Sequence, residues 1–456
     1  MARSQRLYVW GMGLLLIFVV IGELVWLPDP LRWGAHVYWI DLIDWLIYGL
    51  ACVPLLWMIV ATHRLISSQS LVMKLYLGMQ SIICLLTAMF VIGIPKKLEY
   101  SATSFILSFI LVLVDMVIIE RRRRKVPLHS LLVGVVMAGL LAVMLWPTSY
   151  LATYPGLTLN MNRYVQAEGG STHGDISGVL IFERPAFPID WIYAKLFKDY
   201  DFEIQNLGMS LGEYNLEVRA MKEDANAAGS AIAFHKVGLG KGITSEGVRI
   251  TAILQGTQAA EVLQPSDVLT AFNGHPLTMV SELSEQMKAI KPGESITLTL
   301  LRNQKSMQVK VTTRASTDDP SRASIGIMIA NELHYDIPDG VSYHNYLLHE
   351  GGPSHGAMLA LTLIDQLTPC GVTYGHHVAG TGTIEPDGSV GPVGGLVQKA
   401  YTVSRTNADV FFVPVENEAD ARKGAPQLRI VPVRTLDDIL NWLRANPTSE
   451  TPACSS

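Results

Sequence analysis

Five long apolar stretches in the first part of the chain constrain its fold more than any other feature. They cover about residues 7–27, 39–61, 71–93, 101–119 and 127–147. Each approaches the ~20 residues that an α-helix needs to cross ~30 Å of hydrocarbon. A cleaved signal peptide would explain none of the later four, and the first lacks a small-residue cleavage site. Residues 1–150 are therefore predicted to form a membrane region of five helices, with four or six left open because hydropathy alone supports the number.

The basic residues between these stretches predict the orientation of the chain. Arg3 and Arg6 precede the first stretch and Arg64 follows the second. Five basic residues, 121–125, separate the fourth stretch from the fifth. All of these fall on one side of the membrane. The opposite side has only Arg32, Lys96 and Lys97. Lys and Arg favour the cytoplasmic side of a membrane. The N-terminus is therefore expected in the cytoplasm and, with an odd number of spans, residues from 151 onward outside it.

Charge and cysteine content exclude some classes of protein. Residues 1–150 contain 12 Lys and Arg against 7 Asp and Glu, whereas residues 151–456 contain 23 against 33. A part this acidic, without a basic patch and interleaved aromatic residues, does not indicate a nucleic-acid partner. Four cysteines do not form a disulfide framework. Cys52 and Cys84 fall in predicted spans. We expect Cys370 to be a small buried residue and Cys454 to be free in a loose tail, although a bridge between these two stays open.

Residues 231–316 have the pattern of a small β-rich module. Strand-like stretches at 248–253 and 295–302 are joined through the turn Asn273-Gly274 and a helical stretch at 280–290. The segments GVRITAILQGTQAAEVLQPSDVLTAFNG and KPGESITLTLLRN resemble a PDZ domain of the kind associated with bacterial proteases. That resemblance implies binding of an extended C-terminal peptide as an added strand.

A glycine-rich loop at the start of this module has three interpretations. Its residues are Gly240, Lys241, Gly242 and Ile243. Their backbone N–H groups could bind a terminal carboxylate, or the loop could be a plain turn. A phosphate-binding loop would need Ser or Thr after the lysine and then a helix, but Gly242 and a predicted strand follow. We therefore expect no nucleotide and no other cofactor.

The residue types required for nucleophilic catalysis occur between 349 and 400. Ser354, within GPSHG at 352–356, opens an apolar helical stretch, where the helix dipole can stabilise an oxyanion. A serine needs a base to become a nucleophile. Lys399 follows 45 residues later, at the end of a glycine-rich segment and among apolar residues. Burial lowers the pKa of a lysine and yields a neutral amine that can accept the serine proton.

Three other interpretations of this region fit the sequence less well. GPSHG matches the G-x-S-x-G motif, but His376 and His377 follow too soon for the α/β-hydrolase order. His349-Glu350 begins like the zinc motif H-E-x-x-H, but Pro353 stands where the second histidine is required, so no metal site is expected. His355 is adjacent to Ser354, and neighbouring helix residues do not face each other. We expect His355 to line the cleft.

Two longer segments carry a specific family resemblance. GGPSHGAMLALTLIDQLT and VAGTGTIEPDGSVGPVGGLVQKA resemble the catalytic core of Lon-type peptidases, most closely the membrane-anchored, ATP-independent bacterial branch that combines this core with a PDZ domain. The resemblance implies that Ser354 is the nucleophile, Lys399 the general base and Thr381 the residue that orients the lysine. Weaker similarity at YPGLTLNMNRYV and MKEDANAAGSAIAF implies that the PDZ module is inserted within the catalytic domain. The chain departs from the branch in having His355 after the serine and five predicted spans instead of one anchor.

The sequence thus predicts an α+β protein in which a Lon-type protease domain with an inserted PDZ β-domain follows a multi-span helical membrane region. The predicted segments are 1–150 for the membrane region, 151–230 and 317–445 for the protease domain, 231–316 for PDZ and 446–456 for a flexible tail. The expected function is that of a serine endopeptidase without an ATPase of its own. It would act on extracytoplasmic or membrane-near proteins, which PDZ recruits or gates, and its partners would be these substrates and the lipid bilayer. The alternative is a catalytically silent, PDZ-based membrane receptor or scaffold. The sequence predicts neither the oligomeric state nor the cleavage specificity.

Overall fold

The computed structural model describes residues 3–34, 37–123, 126–205, 211–316, 319–338, 340–346 and 351–449. The chain forms two compact units: Met1–Asn226 with Ser342–Ser456, and Ala227–Val341. In chain order the second unit interrupts the first. The predicted PDZ segment, 231–316, is shorter than the second unit, and the predicted domain boundaries stay a prediction.

Within the described ranges, five helices of the first unit are long and apolar enough to cross a membrane, as predicted. The second of these is divided near residue 50, and the six helical pieces are Arg3–Glu23, Trp39–Gly49, Cys52–Ser67, Leu71–Gly93, Leu98–Arg121 and Leu128–Leu145. Their shared core contains the fully buried Tyr8, Met12, Trp57 and Met116. Many Leu, Ile and Val side chains on their outer faces are exposed, which is the distribution that a lipid environment requires.

Polar side chains lie inside this helical bundle. Asp115 is fully buried, forms an ion pair with Arg64 and accepts a hydrogen bond of 2.8 Å from the hydroxyl of Tyr8. Gln80 donates to the same hydroxyl at 3.1 Å. A buried charge is tolerated only when it is paired. Asp115 thus ties its own helix to helices Arg3–Glu23 and Cys52–Ser67, and Tyr8 extends the network to Gln80 on helix Leu71–Gly93.

The rest of the first unit is built on a mixed sheet. Among the described residues its six strands lie in the order Ile430–Val433, Val410–Pro414, His377–Gly380, Asp175–Pro185, Tyr150–Asn160 and Asp201–Ile204. The first four are parallel, and the last two are antiparallel to their neighbours. The helices of this part are Met161–Tyr164, Asp190–Leu196, Gly356–Leu367, Leu396–Ser404, Glu418–Gly424 and Leu436–Ala445, and its short strands are Arg32–Trp33, Val37–Tyr38 and Val165–Ala167. Helix Leu211–Lys236 and the short strand Val341–Tyr343 contain the points at which the chain passes from one unit to the other.

The second unit is a β-rich module. Its main sheet has the antiparallel order Lys305–Thr312, Ser295–Arg302, Val268–Phe272, Gly242–Ile253 and Ile327–Asp336, with His275–Pro276 paired to Val268–Phe272. Alternating side chains such as Leu298 and Leu300 form its buried core, as expected for strands with one covered face. Two helices, Ala259–Val262 and Val280–Met287, and the paired short strands Arg314–Ala315 and Ala323–Ser324 complete it.

One cysteine expectation is wrong. Cys370 is disulfide-bonded, and it lies in a half-buried turn after helix Gly356–Leu367 and not in the core. Cys454 lies outside the described residues.

We predict that Asp115→Ala destabilises the membrane region. The change leaves the half-buried Arg64 without its carboxylate, and loss of one partner costs about 3–5 kcal/mol in fully buried pairs. The double variant Asp115→Ala/Arg64→Leu removes the orphan charge and should recover part of the loss. Thermal unfolding of the detergent-solubilised full chain measures both, with the exposed Glu99→Ala as control. Equal stability of the single and double variants would show that the pair carries no such cost.

Candidate active site

Ser354 lies in a single turn of 3₁₀-helix, Pro353–His355, which leads directly into helix Gly356–Leu367. We call this turn the serine turn. Proline suits the first position because its fixed φ matches a helix and it has no N–H to satisfy. A side chain at Gly356 would come within 2.7 Å of Ile384, so glycine permits the close approach. Ser354 is half-buried, at the positive end of the helix dipole.

The serine turn is fixed to the end of strand His377–Gly380. The carbonyl of Ser354 accepts a hydrogen bond from the backbone N–H of Gly382 at 2.8 Å, and the N–H of Ala357 donates to the carbonyl of Gly382 at 3.2 Å. The hydroxyl of Thr381 donates to the same Ser354 carbonyl at 3.0 Å. Ser354 and Thr381, which are 27 residues apart in the sequence, are therefore neighbours.

Helix Leu396–Ser404, which we call the lysine helix, carries Lys399. It begins after Gly395, whose φ of 68° is left-handed and where a side chain would meet Ile181 at 2.5 Å. Leu396, Ala400 and Val403 are buried against the sheet core, at the spacing of one helix face.

The amine of Lys399 lies in an almost fully buried position. Only 2 % of the residue is exposed, and Nζ donates a hydrogen bond of 3.1 Å to Thr381 Oγ1. Burial lowers the pKa of Lys399 to about 7. A neutral amine therefore forms readily at neutral pH and can accept a proton.

The described residues contain no hydrogen bond between Lys399 Nζ and Ser354 Oγ. Thr381 connects the two residues instead, because its hydroxyl accepts from Nζ and donates to the Ser354 carbonyl. Catalytic hydrogen bonds are often loose before substrate binds. The three residues predicted from the sequence are thus one cluster, and their catalytic roles stay a prediction.

His355 does not pair with Ser354. Its ring is buried, with Nδ1 3.0 Å from the carbonyl of Gly352 and Nε2 2.7 Å from Asn226 Oδ1. Tyr164 also donates to Asn226 Oδ1 at 3.1 Å, and its ring meets the imidazole edge-on. Burial lowers the pKa of His355 to about 4, so the ring is neutral. A neutral ring donates through one nitrogen only, to the carbonyl of Gly352 or to Asn226 Oδ1. His355 thus fills a buried position at the end of the serine turn.

Asn226 is a residue that sequence reasoning missed. It follows Ala225 and precedes a run of small residues in helix Leu211–Lys236. A single amide beside such a run was the available signal, because a helix face of small residues packs closely and a buried amide there needs a partner.

The predicted carboxylate-binding loop of the PDZ module is a turn with two left-handed glycines. Gly240 and Gly242 have φ of 79° and 77°, and strand Gly242–Ile253, which contains Ile243, starts there. The N–H of Lys241 donates to Asp336 Oδ2 at 2.6 Å. This amide thus already binds a carboxylate, one that belongs to the chain itself.

The described part of the chain also has a cleft that lies apart from the serine and the lysine. This cleft, of about 860 Å³, is lined by residues that include Arg163, Tyr164, His173 and Asp175, but not by Ser354 or Lys399. No group of three or more His, Cys, Asp or Glu in the described part could hold a metal ion. His349 and Glu350 lie outside that part.

Two family models match the chain. Residues 302–445 match the Lon protease (S16) C-terminal proteolytic domain, and residues 220–313 match the PDZ domain. The first range includes Ser354, Thr381 and Lys399. The second includes the glycine loop at 240–243.

Individual proteins are similar over shorter segments. Lon protease 1 of Myxococcus xanthus is 34% identical over 113 residues, which are 24% of this chain and 13% of that protein. Lon protease 2 of Bacillus subtilis is 26% identical over 119 residues, 26% of this chain and 20% of that protein. The chain thus matches only a small part of the length of these relatives.

Among solved structures, the PDZ domain of an SdrC-like protein from Listeria monocytogenes is similar. It is 21% identical, covers 19% of this chain and 90% of its own length, and has a TM-score of 0.18. By the two family models, the chain contains a Lon-like serine peptidase domain and a PDZ domain, and five helices apolar enough to span a membrane precede them.

Proposed function

We propose that this chain is an endopeptidase in which Ser354 is the nucleophile and Lys399 the general base. The observation that carries the proposal is the buried amine of Lys399, held 3.1 Å from the hydroxyl of Thr381, which in turn contacts Ser354. An amine whose pKa is lowered to about 7 by burial is available as a base near neutral pH.

The reaction would proceed in two steps. Ser354 Oγ attacks the carbonyl carbon of the scissile peptide bond while the neutral amine of Lys399 accepts the serine proton. The tetrahedral intermediate expels the amine product, which takes that proton from Lys399. Water then hydrolyses the acyl-enzyme, with Lys399 again serving as base. Thr381 holds the lysine side chain in position, and the dipole of helix Gly356–Leu367 stabilises the negative charge on the substrate oxygen.

The substrates would be extracytoplasmic or membrane-near proteins. The distribution of Lys and Arg between the apolar helices supports a location of the protease and PDZ domains outside the cytoplasm. The PDZ module would recruit or gate these substrates, since strand Ile327–Asp336 at the edge of its sheet can accept an extended peptide. The chain would work without an ATPase of its own, because the loop at Lys241 continues into a strand and not into the helix of a phosphate-binding loop.

Substitution of either proposed catalytic residue should abolish hydrolysis. We expect Ser354→Ala and Lys399→Met each to lower kcat for a fluorogenic peptide by about 10³-fold or more. The exposed Ser404 and Lys423 give matched controls, Ser404→Ala and Lys423→Met, which should retain activity. Wild-type cleavage by Ser354→Ala or Lys399→Met would refute the dyad. Retained peptide binding by a wild-type chain that cleaves nothing would favour the scaffold function.

The pH dependence should report the lysine. Only the neutral amine accepts a proton, so kcat/KM is expected to rise with pH and to reach half of its plateau near pH 7, at the lowered pKa of Lys399. A pH–rate profile of the full-length protein in detergent or nanodiscs measures this. A rise centred near the ordinary lysine value of 10.5 would contradict a buried base.

Removal of Asp336 should change peptide binding by the PDZ module. Asp336→Ala frees the N–H of Lys241 and removes a negative charge next to the proposed carboxylate site. We therefore expect tighter binding of peptides with a free C-terminal carboxylate, by about 1.5–3 kcal/mol, the range of a hydrogen bond to a charged group. Isothermal titration with free and C-terminally amidated peptides tests it. An equal gain for both peptides would contradict carboxylate binding by this loop.

A further inference from the structure

We propose that Trp26, in the loop after the first span, positions the lysine helix together with Arg405 at the end of that helix. We call residues 24–34 the span-one loop. The inference deepens the proposed function and rests on it for its kinetic readout. The contacts that carry it join the loop to the lysine helix on one side and to the catalytic sheet on the other.

Trp26 is the central residue of the span-one loop. It is 1 % exposed, although it lies only three residues beyond the end of the first span. Its ring meets those of Phe197, Tyr200 and Tyr401 edge-on, with centroids 5.6 to 6.4 Å apart. Tyr401 belongs to the lysine helix, two residues after Lys399. The indole therefore contacts the helix that holds the proposed base.

Arg405 makes a second connection to the same loop. It caps the C-terminus of the lysine helix and donates hydrogen bonds to the carbonyls of Trp26, at 3.4 Å, and Leu27. Its guanidinium carbon lies 5.8 Å from the Trp26 ring centroid and 5.9 Å from that of Tyr401. A cation at this helix end is stabilised by the helix dipole and by the two aromatic faces.

The span-one loop is also fixed to the sheet independently of the lysine helix. Asp29 is 3 % exposed and accepts hydrogen bonds from the N–H and the hydroxyl of Thr158, at 3.1 and 3.0 Å. Thr158 belongs to strand Tyr150–Asn160. Glu23, the helix residue immediately before the loop, accepts a hydrogen bond of 2.8 Å from Tyr193. The loop is thus a bridge between two parts of the catalytic domain.

The direction of these contacts explains how the loop acts on the base. Tyr401 lies two positions after Lys399, which is about 200° around the helix. The loop therefore holds the lysine helix from the side opposite to the amine, while Leu396, Ala400 and Val403 pack on the sheet. Loss of this contact allows the helix to shift and water to reach Nζ, which would restore a higher pKa and displace the amine from Thr381.

The test compares Trp26→Ala and Arg405→Gln with two matched controls in the full-length protein in nanodiscs. Trp33 belongs to the same loop but is 72 % exposed, and Arg444 is an exposed arginine near the C-terminal end. We expect Trp26→Ala and Arg405→Gln to lower kcat about 10- to 100-fold, the effect of a small displacement of a catalytic group. KM should change little, and the rise of kcat/KM should move to higher pH. Trp33→Ala and Arg444→Gln should keep the wild-type profile.

A readout that needs no proteolysis separates this inference from the proposed function. Lys399 can be acylated with an amine-reactive reagent and its modification quantified by peptide mass spectrometry across a pH series. At pH values above the ordinary lysine pKa of 10.5, where the amine is neutral in every variant, we expect slow modification in the wild type and the controls and faster modification in Trp26→Ala and Arg405→Gln. At lower pH, the modification of these two variants should fall off at a higher pH than that of the wild type. Faster modification together with a wild-type chain that cleaves no peptide would support the positioning role and overturn the proposed function.

Two results would overturn the positioning role. One is a folded Trp26→Ala variant with wild-type Lys399 modification and an unshifted pH profile. The other is lower activity without any change in modification or pH profile, because that pattern indicates a loss of folded protein only. Arg405→Gln, which removes the guanidinium and its ring contacts but leaves the Trp26 indole in place, decides the question if Trp26→Ala does not fold.

Discussion

The burial of one amine organises the catalytic half of this protein. An ammonium at Lys399 would lose its hydration, and this burial lowers its pKa; within the described part of the chain, no carboxylate pairs with the amine. The neutral amine is therefore favoured, with the hydroxyl of Thr381 as its hydrogen-bond partner. The free energy that this burial requires comes from the apolar face of the lysine helix, where Leu396, Ala400 and Val403 pack on the sheet. The serine turn is then fixed to the same strand end through Thr381 and Gly382.

Features that depend on local pattern could be predicted from the sequence. The apolar runs predict the five long helices because the length of a span is set by the bilayer and leaves a continuous signal. The cluster of Ser354, Thr381 and Lys399 could be predicted because each residue stands in a glycine-rich segment whose spacing is specific to a family. The alternating strands of the PDZ module were visible for a similar reason, since one face of its sheet is buried.

Contacts between distant residues left no such pattern. Arg405 and Trp26 are 379 residues apart, and His355 and Asn226 are 129 apart, so neither pair produces a periodicity. The contact of Asp336 with Lys241 depends on the pairing of strand Gly242–Ile253 with strand Ile327–Asp336. The strand propensities of the residues do not specify which strands pair. Cys370 looked like a small core residue because an apolar helix precedes it, but the chain leaves the core in the turn after that helix.

The order of strands in the catalytic sheet has a consequence for biosynthesis. Strand His377–Gly380 pairs with Asp175–Pro185, and the partners His377 and Asp175 are 202 residues apart. Contacts of such separation form slowly, because a long loop must close first. The whole interrupting unit, Ala227–Val341, is synthesised before the sheet can be completed. A nascent chain therefore has no strand end on which to assemble Thr381, Ser354 and Lys399 until the interrupting unit and strand His377–Gly380 have both been synthesised.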